Sequence, residues 1–221
     1  MLDFVLHPRD IGSKDWATIL FVFSFVLIAV TRSVFENRFI DFAKLAYSDK
    51  YIKIYRDSGN LMNWFTIALF AVQLISFAFF IQLSLSFFNI VEKTDWISYI
   101  QITTLLGVFI LSKYLIDKII ATSFNIEEFS EQFNLQKVSY RTYIGLCILP
   151  LNVILFYNDT PIDFLIYFTI AAILLINLYI YFVSLKIYQN LIIGKLFYFI
   201  LYLCALEIAP YYFMYYLFTK T

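Results

Sequence analysis

The sequence predicts an all-α, polytopic membrane protein: six transmembrane helices, with interfacial amphipathic helices in the first and second cytoplasmic connectors. Three observations predict it. Of 221 residues, 62% are hydrophobic and only 14% charged, whereas soluble domains run about 45–50% apolar and about 25% charged. Mean hydropathy is +0.79. The apolar residues gather in runs close to the roughly 20 residues that carry a helix across a hydrocarbon core about 30 Å thick. Aromatic residues at 21% exclude a disordered chain. Sixteen Lys+Arg balance sixteen Asp+Glu, so no basic excess points to nucleic acid. Residues 1–221 read as a single transmembrane domain.

The first span runs from Trp16 to Val34, with Arg32 placed to snorkel at its end. The second lies in Ser58–Val91, which carries no charge and is too long for one upright span and too short for two. It reads as one tilted helix over 60–88. The third runs from Trp96 to Ile116, with Lys113 near its last turn and free to snorkel. The fourth, Thr142–Asn158, is the shortest and contains Pro150. The fifth is Phe164–Leu185, and the sixth, Leu196–Phe218, holds Glu207 and Pro210. Three spans open alike, with Asp15-Trp16, Asp95-Trp96 and Asp163-Phe164. Two readings are open: three related hairpins about a central axis, or the common preference for Asp at a helix start and for an aromatic at the interface.

Orientation follows from the basic residues. With six spans, the ends and the 89–95 and 158–163 loops share one side with four Lys/Arg, and the other side holds twelve. The positive-inside rule then places both termini in the periplasm of a bacterial inner membrane. Met1 to Asp15 carries three acids and two bases, the wrong charge for the start of a signal peptide.

Both long connectors look helical. In the first, Phe35, Phe39, Phe42 and Ala46 share a face, with Arg38 and Lys44 turned elsewhere. Ser48-Asp49 offers a cap, after which Tyr51, Ile54 and Tyr55 continue an apolar stripe beside Lys50, Lys53 and Arg56. In the second, Ile126, Phe129 and Phe133 lie opposite Glu127, Glu128 and Glu131, and Asn125 with Glu128 has capping-box spacing. Either connector could anchor on lipid phosphates or dock a partner protein. The acidic second connector suits an anionic lipid surface less well.

Several chemistries lack their residues. One histidine, His7, precedes the first span, so an intramembrane haem pair or an HExxH zinc site has no ligands. Cys147 and Cys204 stand alone in apolar stretches, without a CxxC. No P-loop, GxGxxG or GxSxG occurs. The spans supply neither a base for a serine nucleophile nor clustered Asp for a metal-dependent transferase. The expectation is a protein that is not an enzyme and has no cofactor or metal.

Glu207 is the one acid deep in a predicted span, about 17 Å along the last helix. An ionised carboxylate at that depth costs at least a few kcal/mol. It must be neutral, paired or hydrated, and it should face the bundle. Pro210 frees backbone carbonyls nearby, and Asn177 and Asn152 lie at similar depth as candidate partners. The site reads as a hydrogen-bond latch, as a subunit contact, or as a proton or cation site.

The stretch Tyr198-Phe199-Ile200-Leu201-Tyr202-Leu203-Cys204-Ala205-Leu206-Glu207-Ile208-Ala209-Pro210 resembles the C-terminal signature of a Bacteroidota membrane family described only as a domain of unknown function. Gly59-Asn60-Leu61, Phe124 to Phe133 and Leu149-Pro150-Leu151 carry weaker likeness, and at Ala209 the family more often has Leu. The resemblance implies an inner-membrane protein of a Gram-negative bacterium and implies no activity. The expectation is a non-enzymatic subunit or assembly factor of a membrane complex, in envelope biogenesis or protein export. The alternative is a small proton- or cation-coupled carrier using Glu207. The partners expected are the bilayer and other membrane subunits, with no nucleic acid.

Overall fold

The computed structural model describes residues 14–46, 50–55, 63–123, 127–158 and 164–178. Among the described residues there are helices and turns and no strand. The helices are α1 (Asp15–Val34), α2 (Glu36–Ala43) with a 3-10 turn at Lys44–Ala46, α3 (Lys50–Tyr55), α4 (Trp64–Phe87), α5 (Trp96–Ser123), α6 (Glu127–Tyr157) and α7 (Phe164–Leu178). Four described helices are long and apolar enough to cross a membrane: α1, α4, α5 and the Asn134–Tyr157 part of α6. The described part of α7 is apolar and shorter. The sixth expected span lies outside the described residues.

The uncharged second stretch forms a single helix, α4, of 24 residues, about 36 Å long at about 1.5 Å per residue. Its end has a specific cause. Asn89 adopts φ 59, its amide bonds the Ser86 carbonyl at 3.0 Å, and the Ile90 amide bonds the Leu85 carbonyl at 3.0 Å. This is the left-handed Schellman stop, with Asn in the place glycine usually takes. Asp95 starts α5: its Oδ1 accepts from the Ile97 amide at 3.0 Å, and its Oδ2 accepts from the Ser98 hydroxyl at 2.6 Å. Asp15 does not act alike. It is the first residue of α1, behind Lys14, and α1 has no side-chain cap. The following tryptophans also diverge, Trp16 packing into the core and Trp96 standing 55% exposed. The shared dipeptide therefore serves two different local structures.

The fourth expected span is longer than its apolar part. A separate interfacial helix over the second connector and a span from Thr142 were expected. Instead α6 runs unbroken for 31 residues from Glu127, about 46 Å. No Gly or Pro interrupts 127–144, so nothing in the backbone stops the helix where the side chains change from polar to apolar. Pro150 sits inside α6 on its exposed side without ending it.

α4 is the hub, packed against α1, α5 and α6. Phe65, Leu69, Val72, Ser76, Phe79, Phe80 and Leu83 are buried along it at helical spacing. At one end an aromatic plug forms around Phe79. Trp16 stacks on it at 5.7 Å, Phe21 at 4.3 Å, and Tyr99 and Phe156 close it at 4.5 and 5.9 Å between ring centroids. Trp16 Nε1 also donates to the Thr94 carbonyl at 3.3 Å, and Lys93 Nζ to the Asn158 carbonyl at 3.1 Å. Thr18 and Tyr157 share a hydroxyl hydrogen bond. The start of α1, the α4–α5 loop and the end of α6 thus lie together, as an alternating hairpin order requires. Gln82 holds that loop to α4, donating to the Asp95 carbonyl at 2.7 Å.

At the opposite end, α2 and α3 fold over the start of α4. Phe42, Leu45, Tyr51, Phe65 and Leu69 form a second buried cluster, with Phe35, Phe39, Tyr55 and Tyr143 packed on it. The Phe35, Phe39 and Phe42 face exists as expected. It is covered by protein, with Phe42 against Tyr51, Phe65 and Tyr143. Arg38 was expected to turn away from that face. Its guanidinium instead lies 4.8 Å from the Tyr55 ring and 4.7 Å from the Phe65 ring, because a planar cation gains by stacking on aromatic faces.

Candidate functional site: a polar seam between two spans

Between the two aromatic clusters, α4 and α6 meet through polar groups. Gln73 and Ser76 lie one turn apart on α4, and Thr142, Gly145, Leu149 and Asn152 recur every three or four residues on α6. All six are buried. Gly145 lets the backbones close in: a Cβ there would stand 3.1 Å from Gln73 Cα and 3.3 Å from its Cβ. Small residues permit this approach in membrane helix pairs. The hydrogen bonds then run across the crossing. Ser76 Oγ donates to the Gly145 carbonyl at 2.7 Å, and Thr142 Oγ1 donates to Gln73 Oε1 at 2.8 Å. Asn152 Nδ2 donates to the Ser76 carbonyl at 2.7 Å. Asn152 Oδ1 is buried and takes no hydrogen bond among the described residues.

A second set of buried polar groups lies toward the α2–α3 end. Lys113 and Asp117, one turn apart on α5, are 9% and 4% exposed. Lys113 was expected to snorkel into water; its inward position on α5 buries it instead. On α6, Asn134, Gln136 and Ser139 are buried in the turns that lead into the seam. An ionisable residue inside a span is a functional candidate by default, because lipid tolerates it only at a cost. Among the described residues no three His, Cys, Asp or Glu side chains converge on a metal-sized site.

Outside the spans, two groups among the described residues are shifted from their ordinary values. Asp95 is held below the usual carboxylate value, chiefly by the Ser98 hydroxyl and also by the Ile97 amide. Tyr51 in α3 is raised by burial, while the adjoining Arg38 charge and hydrogen bond pull the other way.

Of the described residues that the sequence singles out, Asn152 alone lies in the seam, and its amide donates to the Ser76 carbonyl of α4. Asn177 is on the exposed side of α7 and donates to the Ile173 carbonyl of its own helix at 2.8 Å. It is not brought to Asn152. Its depth matches, but a helix presents each depth on every face. Arg38 belongs to the aromatic cluster and Lys44 is exposed after α2. Lys50 and Lys53 lie on α3, and Phe129 and Phe133 lie in the first two turns of α6. Glu207, Pro210 and Arg56 fall outside the described residues. Sequence reasoning missed Gln73, Ser76, Thr142, Gly145, Lys113 and Asp117. The signal was there in part, since Thr142, Gly145 and Asn152 share one helical face. For Asp117 it was hidden by ending the third span at Ile116.

No curated protein and no solved structure matches the chain. A family model does, over residues 17–218. The chain therefore belongs to the family described as Domain of unknown function (DUF4271).

Proposed function

We propose that this chain is a non-enzymatic subunit or assembly factor of a complex in a bacterial inner membrane, serving envelope biogenesis or protein export. The observation that carries this reading is where the intramembrane polar groups go. Gln73, Ser76 and Thr142 bond across one helix pair, the use that a scaffold makes of polar groups inside its spans. The residues offered to other subunits in this reading are Lys44, Lys50, Lys53 and Arg56 of the first connector, with Phe129 and Phe133 of the second. In this reading both termini are periplasmic, and Glu207 with Pro210 latches the last span. Gentle detergent purification of the native protein tests it. A fixed set of membrane proteins, recovered again when any one of them is tagged, supports the reading. A solitary particle that moves a solute in vesicles overturns it.

A second reading has its own observation. Lys113 and Asp117 are buried within α5, as ion-coupled carriers require of their charged groups. Here Glu207 and Asp117 bind and release a proton or cation. Glu207→Gln keeps shape and removes titration. Full function in that variant ends the proton-coupled reading, while the latch tolerates Gln and loses folded yield with Glu207→Leu.

A further inference from the structure

We propose that Arg38 is the centre of a binding site for the phosphate of an anionic phospholipid, at the end of the bundle that carries α2 and α3. Its guanidinium is held by three elements at once. It issues from α2, lies on the ring of Tyr55 from α3 at 4.8 Å and on the ring of Phe65 from α4 at 4.7 Å, and hydrogen bonds the Tyr51 phenol. Its Nε is buried and has no hydrogen-bond partner among the described residues. The apolar cluster it lies against includes Phe35, Phe42 and Leu45. Two rings lie against the guanidinium, and its planar fork of donors is the group that grips a phosphate through two oxygens. A cation fixed in this way gains most from an anion that completes its hydrogen bonds.

The surroundings fit a lipid. Trp64, the first residue of α4 and neighbour of Phe65, is 77% exposed, the position of an aromatic at headgroup level. Ile40 on α2 and Ile54 on α3 are exposed apolar residues of the same end, suited to the upper part of an acyl chain. Lys44 adds a second exposed cation after α2.

The test is native mass spectrometry of the detergent-purified protein, titrated with phosphatidylglycerol and with phosphatidylethanolamine of the same chains. The wild type should hold phosphatidylglycerol about five- to tenfold better. Arg38→Gln should abolish that preference, Arg38→Lys should keep part of it, and Lys118→Gln, an exposed base at the end of α5, should leave it intact. Equal retention of the two lipids by the wild type overturns the proposal, as does an unchanged preference in Arg38→Gln. Displacement of the lipid by millimolar inorganic phosphate overturns it in favour of a free-anion site. Loss of a bound protein without loss of lipid in Arg38→Gln overturns it in favour of a carboxylate partner. Should Arg38→Gln fail to fold, the wild-type comparison and Arg38→Lys decide.

Discussion

α4 and α5 are neighbouring helices of one hairpin, both dominated by apolar residues, and the structure uses them in opposite ways. Half of the most apolar window of α4 is buried, against 6% of that of α5. In α4, Gln73, Ser76 and Gln82 lie within the buried stripe and are spent on α6 and the α4–α5 loop. In α5, the buried residues Lys113 and Asp117 lie toward one end, and Leu105, Val108, Leu111 and Leu115 are exposed. Hydropathy marks both as spans and cannot tell lipid-facing from protein-facing surface, because lipid tails are as apolar as a leucine core. Polar residues inside a hydrophobic run, repeated at helical spacing, are the better mark of the protein-facing helix.

The contrast can be broken by substitution. The largest effect is expected at Phe79, fully buried in the aromatic plug. Phe79→Ala should cost about 3–5 kcal/mol, whereas Leu105→Ala on α5, 46% exposed, should cost under about 0.5 kcal/mol. Thermal unfolding in detergent, followed by size-exclusion fluorescence, compares the two; equal losses would remove the distinction between the helices.

Next come the glycines. A Cβ at Gly145 meets Gln73 backbone at 3.1 Å, and among the described residues one at Gly107 of α5 meets only Leu74 Cδ1 at 3.4 Å. Gly145→Val should separate the helices at a cost of about 1–3 kcal/mol, and Gly107→Ala should be tolerated. Thr142→Val removes the bond to Gln73 and leaves an amide oxygen without it. Its expected loss is about 0.6 kcal/mol, the usual size of an interhelical hydrogen bond in a membrane. A double-mutant cycle with Gln73→Leu should show the two losses to be coupled, and strict additivity would disprove the bond.

The smallest effect belongs to the start of α5. Asp95→Ala should loosen the first turn slightly, while Asp95→Asn keeps an acceptor for the Ile97 amide. Because folding lowers the Asp95 value, its contribution is present above the ordinary carboxylate value and fades as pH falls through the folded one. Hydrogen exchange at the α5 amino terminus, read across acid pH, should show that fading in the wild type and not in Asp95→Ala.

Much of the bundle was legible beforehand. Trp16 and Trp96 mark starts within a residue of those observed, and the uncharged 58–91 stretch yields one helix. α3 is a helix over Lys50–Tyr55, where the stripe of Tyr51, Ile54 and Tyr55 predicts one, and the Ser48-Asp49 cap lies outside the described residues. These features depend on local chemistry. The site depends on which faces meet, and there the sequence was mute or misleading. Arg38 read as a surface charge because its aromatic partners come from two other helices. Lys113 read as a snorkelling base because the length of α5 beyond Ile116 was not foreseen. Asn152 was found by depth, and its actual partner, Ser76, is 76 residues away.

The central claim is the close crossing of α4 and α6 at Gln73 and Gly145, and cysteine cross-linking in native membranes tests it most directly. With Cys147 and Cys204 replaced by Ala, Gln73→Cys and Gly145→Cys would stand 3.3 Å apart at Cβ, near the roughly 3.5–4.5 Å that a disulfide spans. The structure predicts rapid intramolecular cross-linking of this pair and none between Gln73→Cys and Leu105→Cys. A pair that stays reduced under oxidant, in protein that is folded and inserted, would contradict the account.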